Sequence, residues 1–174
     1  GFVGADSFLY RVEDGADGAA EARATVVVQS GLAPAGFDGV IRGTGRDDLI
    51  AIAQNATYLG LAGADILLLS PVAEAEALSL VEGRAEDTLQ LVGGLVVAGS
   101  RVSGEDLELT LANGAVVRVL NAGEMLFDVA GNATAERAGR LEDFATFTGA
   151  TLGVDPLSGT GGARVIGEDD PLGL

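Results

Sequence analysis

The residues whose type and spacing suit chemistry are aspartates and glycines in a short stretch with a period of nine. Cut into nines from residue 33, the chain reads APAGFDGVI, RGTGRDDLI, AIAQNATYL and GLAGADILL. Asp38, Asp47 and Asp65 take the sixth place of their blocks, and Gly36, Gly45 and Gly63 the fourth. Val40, Leu49 and Leu67 take the eighth, a place held by Tyr58 in the block that lacks the aspartate. A carboxylate is a hard oxygen donor of the kind Ca²⁺ prefers. Glycine turns tightly at positive φ and leaves room for an ion. An apolar eighth residue suits a short strand pointing inward. The competing reading is a pair of glycine-rich turns between ordinary strands, with the aspartates capping the turns.

No other chemistry has its residues. The sequence contains no cysteine, histidine or tryptophan, and all ten of its cations are arginines. Thiol catalysis, disulfides and thiolate metal sites are excluded. The usual general base and zinc ligand is missing as well. The acid pairs Glu13–Asp14, Glu86–Asp87, Glu105–Asp106 and Asp169–Asp170 are neighbours in sequence, whereas glycoside hydrolysis needs two carboxylates facing each other across a cleft. They read as solvated edges and turn caps. GTGRDD lacks the lysine of a phosphate-binding loop. A non-catalytic protein is expected, with Ca²⁺ as its only cofactor.

The nine-residue blocks resemble the RTX (haemolysin-type) nonapeptide repeat, a calcium-binding parallel β-roll of secreted proteins. In that family two blocks make one turn, so residues eighteen apart stack. The resemblance implies one shared Ca²⁺ site at Asp47 and Asp65, with oxygens from around Gly43, Gly45 and Gly63. It leaves Asp38 over Ala56 as a poor or empty site.

Composition bounds the partners. A net charge of −16 opposes binding to nucleic acid and to anionic membrane surfaces. With 48% apolar residues the chain can build a core and is not expected to be disordered. No apolar run is long enough to span a bilayer, and the opening Gly-Phe-Val-Gly does not read as a leader peptide. The absence of a starting methionine suggests a fragment or a processed product.

The elements around the repeat are mostly strands. Phe8, Tyr10 and Val12 alternate, as do Ala22, Ala24, Val26 and Val28, with a turn between the two runs. GADSFLYRVEDG followed by ARATVVVQ is similar to the last two strands of the cadherin-like or immunoglobulin-like repeats of giant bacterial surface proteins. A lone hairpin is marginal in water. Residues 1–29 are therefore expected either to offer an open sheet edge to a neighbouring chain or to be the cut end of a sandwich. Residues 30–37 read as a linker.

Ser70-Pro71 ends the roll. AEAEALSL is a short helix or a strand, with the strand from Leu78 to Val81 preferred. Residues 86–129 read as an antiparallel meander, with a turn within LVVAGSRVSG and a further strand at 124–129. Its clearest hairpin has a three-residue loop, Ala112 to Gly114, which pairs Leu111 with Ala115, Leu109 with Val117 and Leu107 with Val119. Glu108 then faces Arg118, and Gly114 sits in the left-handed region. DTLQL, from Asp87, and the run from Asp106 to Gly114 loosely resemble modules that follow nonapeptide coils. One helix is expected over 132–147, capped by Asn132 or Thr134, with Ala138, Leu141 and Ala145 inward and Gly139 as its weak point. Residues 149–174 read as an acidic, glycine-rich tail.

The expected fold is mostly β: a hairpin remnant at 1–29, a short parallel β-roll at 33–70, a meander with one short helix at 77–148, and a tail. The expected function is a calcium-stabilised structural or adhesive module of a bacterial secreted or cell-surface protein exported by type I secretion. The alternatives are a subunit of an extracellular filament or lattice joined by strand exchange through residues 1–29, and an accessory domain of a secreted hydrolase.

Overall fold

A computed structural model describes residues 4–13, 19–28, 39–53, 55–70, 75–131 and 139–167, the first two segments as backbone only. The protein is mostly β, with mixed parallel and antiparallel sheets. Strands β1 (Gly4–Glu13) and β2 (Ala19–Val28) pair antiparallel over their whole length in a two-stranded sheet of their own. The alternation at Phe8–Val12 and Ala22–Val28 thus marks a hairpin, as expected.

From residue 39 the chain shuttles between two larger sheets. Strands β3 (Gly39–Arg42), β5 (Ala56–Leu59) and β7 (Leu78–Glu82) lie side by side and parallel in one sheet. Strands β4 (Leu49–Ile52), β6 (Ile66–Leu69) and β8 (Thr88–Val92) do the same in the other. Two strands, β9 (Val96–Ser103) and β10 (Asp106–Leu111), intervene before the shuttle resumes. Strand β11 (Val116–Leu120) then adds in parallel to β7, and β12 (Leu126–Gly131) to β8.

This ordering corrects the expectation of an antiparallel meander over 86–129. Only β9, β10 and β11 pair antiparallel with one another, while β8, β11 and β12 extend the parallel ladders. The reason lies in the inward rows. Ile50, Leu67, Leu89 and Phe127 stand in register across one sheet, and Ile52, Leu69, Leu91 and Val129 form the row beside them. Opposite lie Ile41, Tyr58, Val81, Val119 and Leu107. These side chains are all buried in one core. Continuing the parallel stack keeps each apolar row unbroken, which is where the burial free energy comes from.

The hairpin between β10 and β11 has the expected register. Leu107 faces Val119, Leu109 faces Val117, and the Leu111 amide donates to the Ala115 carbonyl. Gly114 sits at φ +85°, and Arg118 lies 2.6 Å from Glu108. The turn expected within LVVAGSRVSG falls at its last residue, Gly104, with φ +65°, after strand β9 has run from Val96 to Ser103. Ala98 is left as the extra residue of a bulge, because Thr110 pairs with Gly99 and Leu111 with Val97.

The expected helix over 132–147 is also corrected. Residues 132–138, with both candidate caps and Ala138, lie outside the described residues. Residues Arg140–Asp143 form strand β13, antiparallel to β12. Gly139 approaches so closely that a Cβ there would stand 1.9 Å from the Val129 carbonyl oxygen. Only then comes a helical turn, α1 (Phe144–Thr146), capped by Asp143 and continued by a π-helical turn at Phe147–Thr151. Leu141 and Ala145 are exposed, and Phe147 is the residue that packs inward, stacked on Phe127 at 4.3 Å. Further along, β14 (Thr160–Gly161) and β15 (Arg164–Val165) pair with β9. Leu152 and Ile166 are buried in the main core, so residues 151–167 fold back onto the sheets rather than trailing as a tail.

Candidate functional site: an aspartate column at the turns

The first three passages from the first sheet to the second each cross a turn that ends on an aspartate just before a strand. The pattern is Asp48 before Leu49-Ile50-Ala51-Ile52, Asp65 before Ile66-Leu67-Leu68-Leu69, and Asp87 before Thr88-Leu89-Gln90-Leu91. The sheet register puts Leu49 beside Ile66 and Ile66 beside Thr88. Asp48, Asp65 and Asp87 therefore stack in one column, turn upon turn. All three are buried, with exposures of 5%, 1% and 0%.

The column is knitted by hydrogen bonds from main chain to side chain. The amide of Asp48 donates to Oδ1 of Asp65 at 2.9 Å. The amide of Asp65 donates to Oδ1 of Asp87 at 3.1 Å. Within the first turn, the Thr44 amide donates to Oδ2 of Asp48. A parallel main-chain ladder runs alongside, from Ile66 to the Asp48 carbonyl, from Thr88 to that of Asp65 and from Leu126 to that of Asp87. Each aspartate thus satisfies an amide that the turn would otherwise bury unpaired, a loss of roughly 1–3 kcal/mol.

Glycine makes the space. A Cβ on Gly60 would lie 2.0 Å from Oδ2 of Asp65, so no larger residue fits there as the chain stands. The column ends where Met125, buried at 2%, takes the place of a fourth aspartate. Oδ2 of Asp65 and Oδ2 of Asp87 are buried and have no hydrogen-bond partner.

Burial sets the electrostatics. Loss of water is the main cause that pushes the Asp65 carboxyl up to about 6, reinforced by the charges of Asp87, Asp48 and Asp47 and opposed by the Asp48 amide. Asp87 is raised for the same first reason, against the Asp65 amide and the Arg84 guanidinium. On the second sheet, burial also raises Asp128, whose Oδ1 accepts from the Gly139 amide.

The residues expected to bind Ca²⁺ fall as follows. Asp38 lies outside the described residues. Asp47 and Asp65 differ in exposure and in the amides they accept from. Asp47 is exposed and its Oδ1 accepts from the Ala64 amide, whereas Asp65 is buried one step along the turn. The stacking offset is 17 residues between the first two turns and 22 between the next, rather than eighteen. Val40 is exposed, and Leu49 is buried but outside the main core cluster, while Leu67 belongs to it. Gly63 has the left-handed φ of +116° expected of it, and Gly43 and Gly45 do not. Nothing lies within 4 Å of a Cβ placed on Gly45.

Ca²⁺ takes six to eight oxygens. Among the described residues no group of three or more His, Cys, Asp or Glu is placed to hold a metal ion, and the column leaves two buried carboxylate oxygens unpartnered. Asp48 and Asp87 are the residues that the nine-residue cut missed. The signal for them was the recurring Asp-x-apolar-x-apolar run, which starts at Asp48 rather than Asp47 and includes Asp87, read from sequence as a solvated acid.

Elsewhere, a shallow cleft on the outer face of β9, β10 and β11 is lined by Arg101, Ser103, Asp106, Glu108 and Arg118. Glu108 and Arg118 neutralise one another there. No helix among the described residues is long and apolar enough to cross a membrane. Comparison with protein-family models, curated proteins and solved structures gave no match to this chain.

Proposed function

We propose that the chain is a non-catalytic structural or adhesive module of a bacterial secreted or cell-surface protein, with residues 39–131 forming a short parallel β-roll. The observation that carries this reading is the aspartate column. Among the described residues the two most buried acids, Asp65 and Asp87, are engaged with main-chain amides at stacked turns, a use of carboxylates that builds a scaffold. The resemblance of GADSFLYRVEDG to the end of a surface-protein repeat, the nine-residue blocks, and an acidic chain without cysteine support export in one step to the cell exterior. Calcium is left out of the proposal because the buried carboxylates of Asp65 and Asp87 are engaged with main-chain amides.

The test is localisation. An antibody against this chain should label intact cells of a bacterium that carries it, and external protease should remove the label. Labelling only after lysis would end the reading.

A second reading, the filament or lattice subunit, is favoured by one observation: β1 and β2 form a two-stranded sheet of their own. A lone hairpin gains stability from added strands. Light scattering of the purified chain should then show size growing with concentration, and a chain starting at residue 39 should stay monomeric. A monomer at every concentration would remove it.

A further inference from the structure

We infer that the aspartate column replaces a metal ion at the turns of this coil, so that the coil folds and holds without calcium or any other cation. A turn of a parallel coil presents main-chain amides that have lost their strand partners, together with carboxylates brought close by stacking. A divalent cation would neutralise those carboxylates. Here each carboxylate turns inward, and its Oδ1 takes the amide of the aspartate one turn earlier, Asp48 to Asp65 and Asp65 to Asp87. The Gly60 side of the turn is closed down onto Oδ2 of Asp65, leaving no room there for an ion. Past Asp87 the column continues as Met125, an apolar side chain and a poor neighbour for a hydrated cation.

Burial also makes the remaining charge easier to neutralise with a proton. Oδ2 of Asp65 and of Asp87 lie buried with no donor facing them. That is costly for a carboxylate and tolerable for a neutral acid. The groups acting on the column are Asp47, Asp48, Arg84 and Glu86. Three of these four are acids, which favours the protonated form further. Burial raises both carboxyls, Asp65 to about 6, so Asp65 takes up its proton only as pH falls below neutrality. The inference rests on the column itself and not on the surface assignment, so surface labelling and the measurements below fail independently.

The test uses the whole chain stripped of metal. Melting is followed at neutral pH in excess EDTA and in millimolar CaCl₂, for the wild type and for Asp65→Asn and Asp87→Asn. Asparagine keeps an oxygen for the amide and brings no charge. The expected result is a folded wild type in EDTA, with no shift of melting temperature on adding calcium. The asparagine variants should melt at or above the wild-type temperature. A calcium-induced rise that persists in both variants places the ion elsewhere on an acidic surface and agrees with the inference. A rise abolished by either variant overturns it.

Amide exchange on the unaltered chain keeps the test decisive should a variant fail to fold. In EDTA the amides of Asp48 and Asp65 should be as protected as those of Ile50 and Leu67. Protection that develops only with calcium sinks the inference.

Discussion

Asp48 and Asp65 sit 17 residues apart in sequence and one turn apart in space, joined by a 2.9 Å hydrogen bond from the amide of the first to Oδ1 of the second. This bond is at the centre of the molecule's economy of polar groups. It satisfies a buried amide, orients a buried acid, and holds β4 and β6 in register at their starts. Because the acid is buried, its protonation is linked to folding.

The sign of that linkage follows from Asp65. Its carboxyl is raised from the usual 3.8 to about 6 in the folded chain, with burial as the leading cause. Between those values the folded state binds more protons than the unfolded one, so this group's contribution to stability is complete below 3.8 and is lost as pH rises through about 6. A displacement of that size corresponds to at most about 3 kcal/mol. Asp87 and Asp128 are raised and act in the same sense. Asp143, lowered by its bonds to Thr146, acts in the opposite sense, and its contribution fades as pH falls below the usual carboxylate range. Denaturant melts across this window should show stability falling toward neutrality, with a shallower fall in Asp65→Asn. The same slope in both proteins would detach the column from the effect.

Two glycines of the same stretch should respond in opposite ways to alanine. At Gly60 the new methyl would meet the Asp65 carboxyl, which is held in place by the Asp48 amide and cannot withdraw. Overpacking of this kind costs about 1–3 kcal/mol, and the value here should lie at the upper end. At Gly45 nothing is within 4 Å and φ is not left-handed, so alanine should be neutral or stabilising by up to about 1 kcal/mol. Chemical denaturation of the two variants measures the contrast. Equal losses would mean that the turn is not packed as described.

The hairpin of β10 and β11 supplies a control for surface electrostatics. Arg118 contacts Glu108 at 2.6 Å, but about half of the arginine side chain is exposed. A double-mutant cycle on Glu108→Gln and Arg118→Gln should give a coupling of about 0.2–1 kcal/mol, and added salt should weaken it. A coupling that ignores salt would contradict the exposure of the pair.

That hairpin was legible in the sequence and the aspartate column was not, for the same physical reason. Within ten residues of Glu108 the partner strand is fixed by local alternation, the three-residue loop from Ala112 to Gly114 and one charge pair, so few registers compete. The column depends on contacts between turns 17 and 22 residues apart, where turn length sets the offset and a single residue moves every side chain to the other face. With two aspartates in a row at 47 and 48, a regular period of nine selected the exposed one. The parallel stacking of β8 and β12 was hidden because β9, β10 and β11 come between them in sequence. Part of the helix expected over 132–147 is a strand, Arg140–Asp143, because Gly139 serves a close approach to β12, which periodicity does not report.

The last prediction concerns what the carboxyl-terminal stretch contributes. Phe127 lies on β12, in the row with Ile50, Leu67 and Leu89, and Phe147 stacks on it at 4.3 Å with Phe144 tilted at 6.2 Å. Through this stack, residues 144–166 complete the core on which Leu152 and Ile166 also close. Phe147 is fully buried, so Phe147→Ala should cost about 3–5 kcal/mol. The loss should be local first. Amides of β14, β15 and the outer edge of β9 should exchange faster, while those of β4 and β6, backed by their own rows of Ile and Leu, stay protected. Leu157→Ala, on a side chain 96% exposed, should change neither stability nor exchange. If Phe147→Ala loosened β4 and β6 as early as β9, the coil would depend on this stretch for its fold, rather than standing on its own stacked turns.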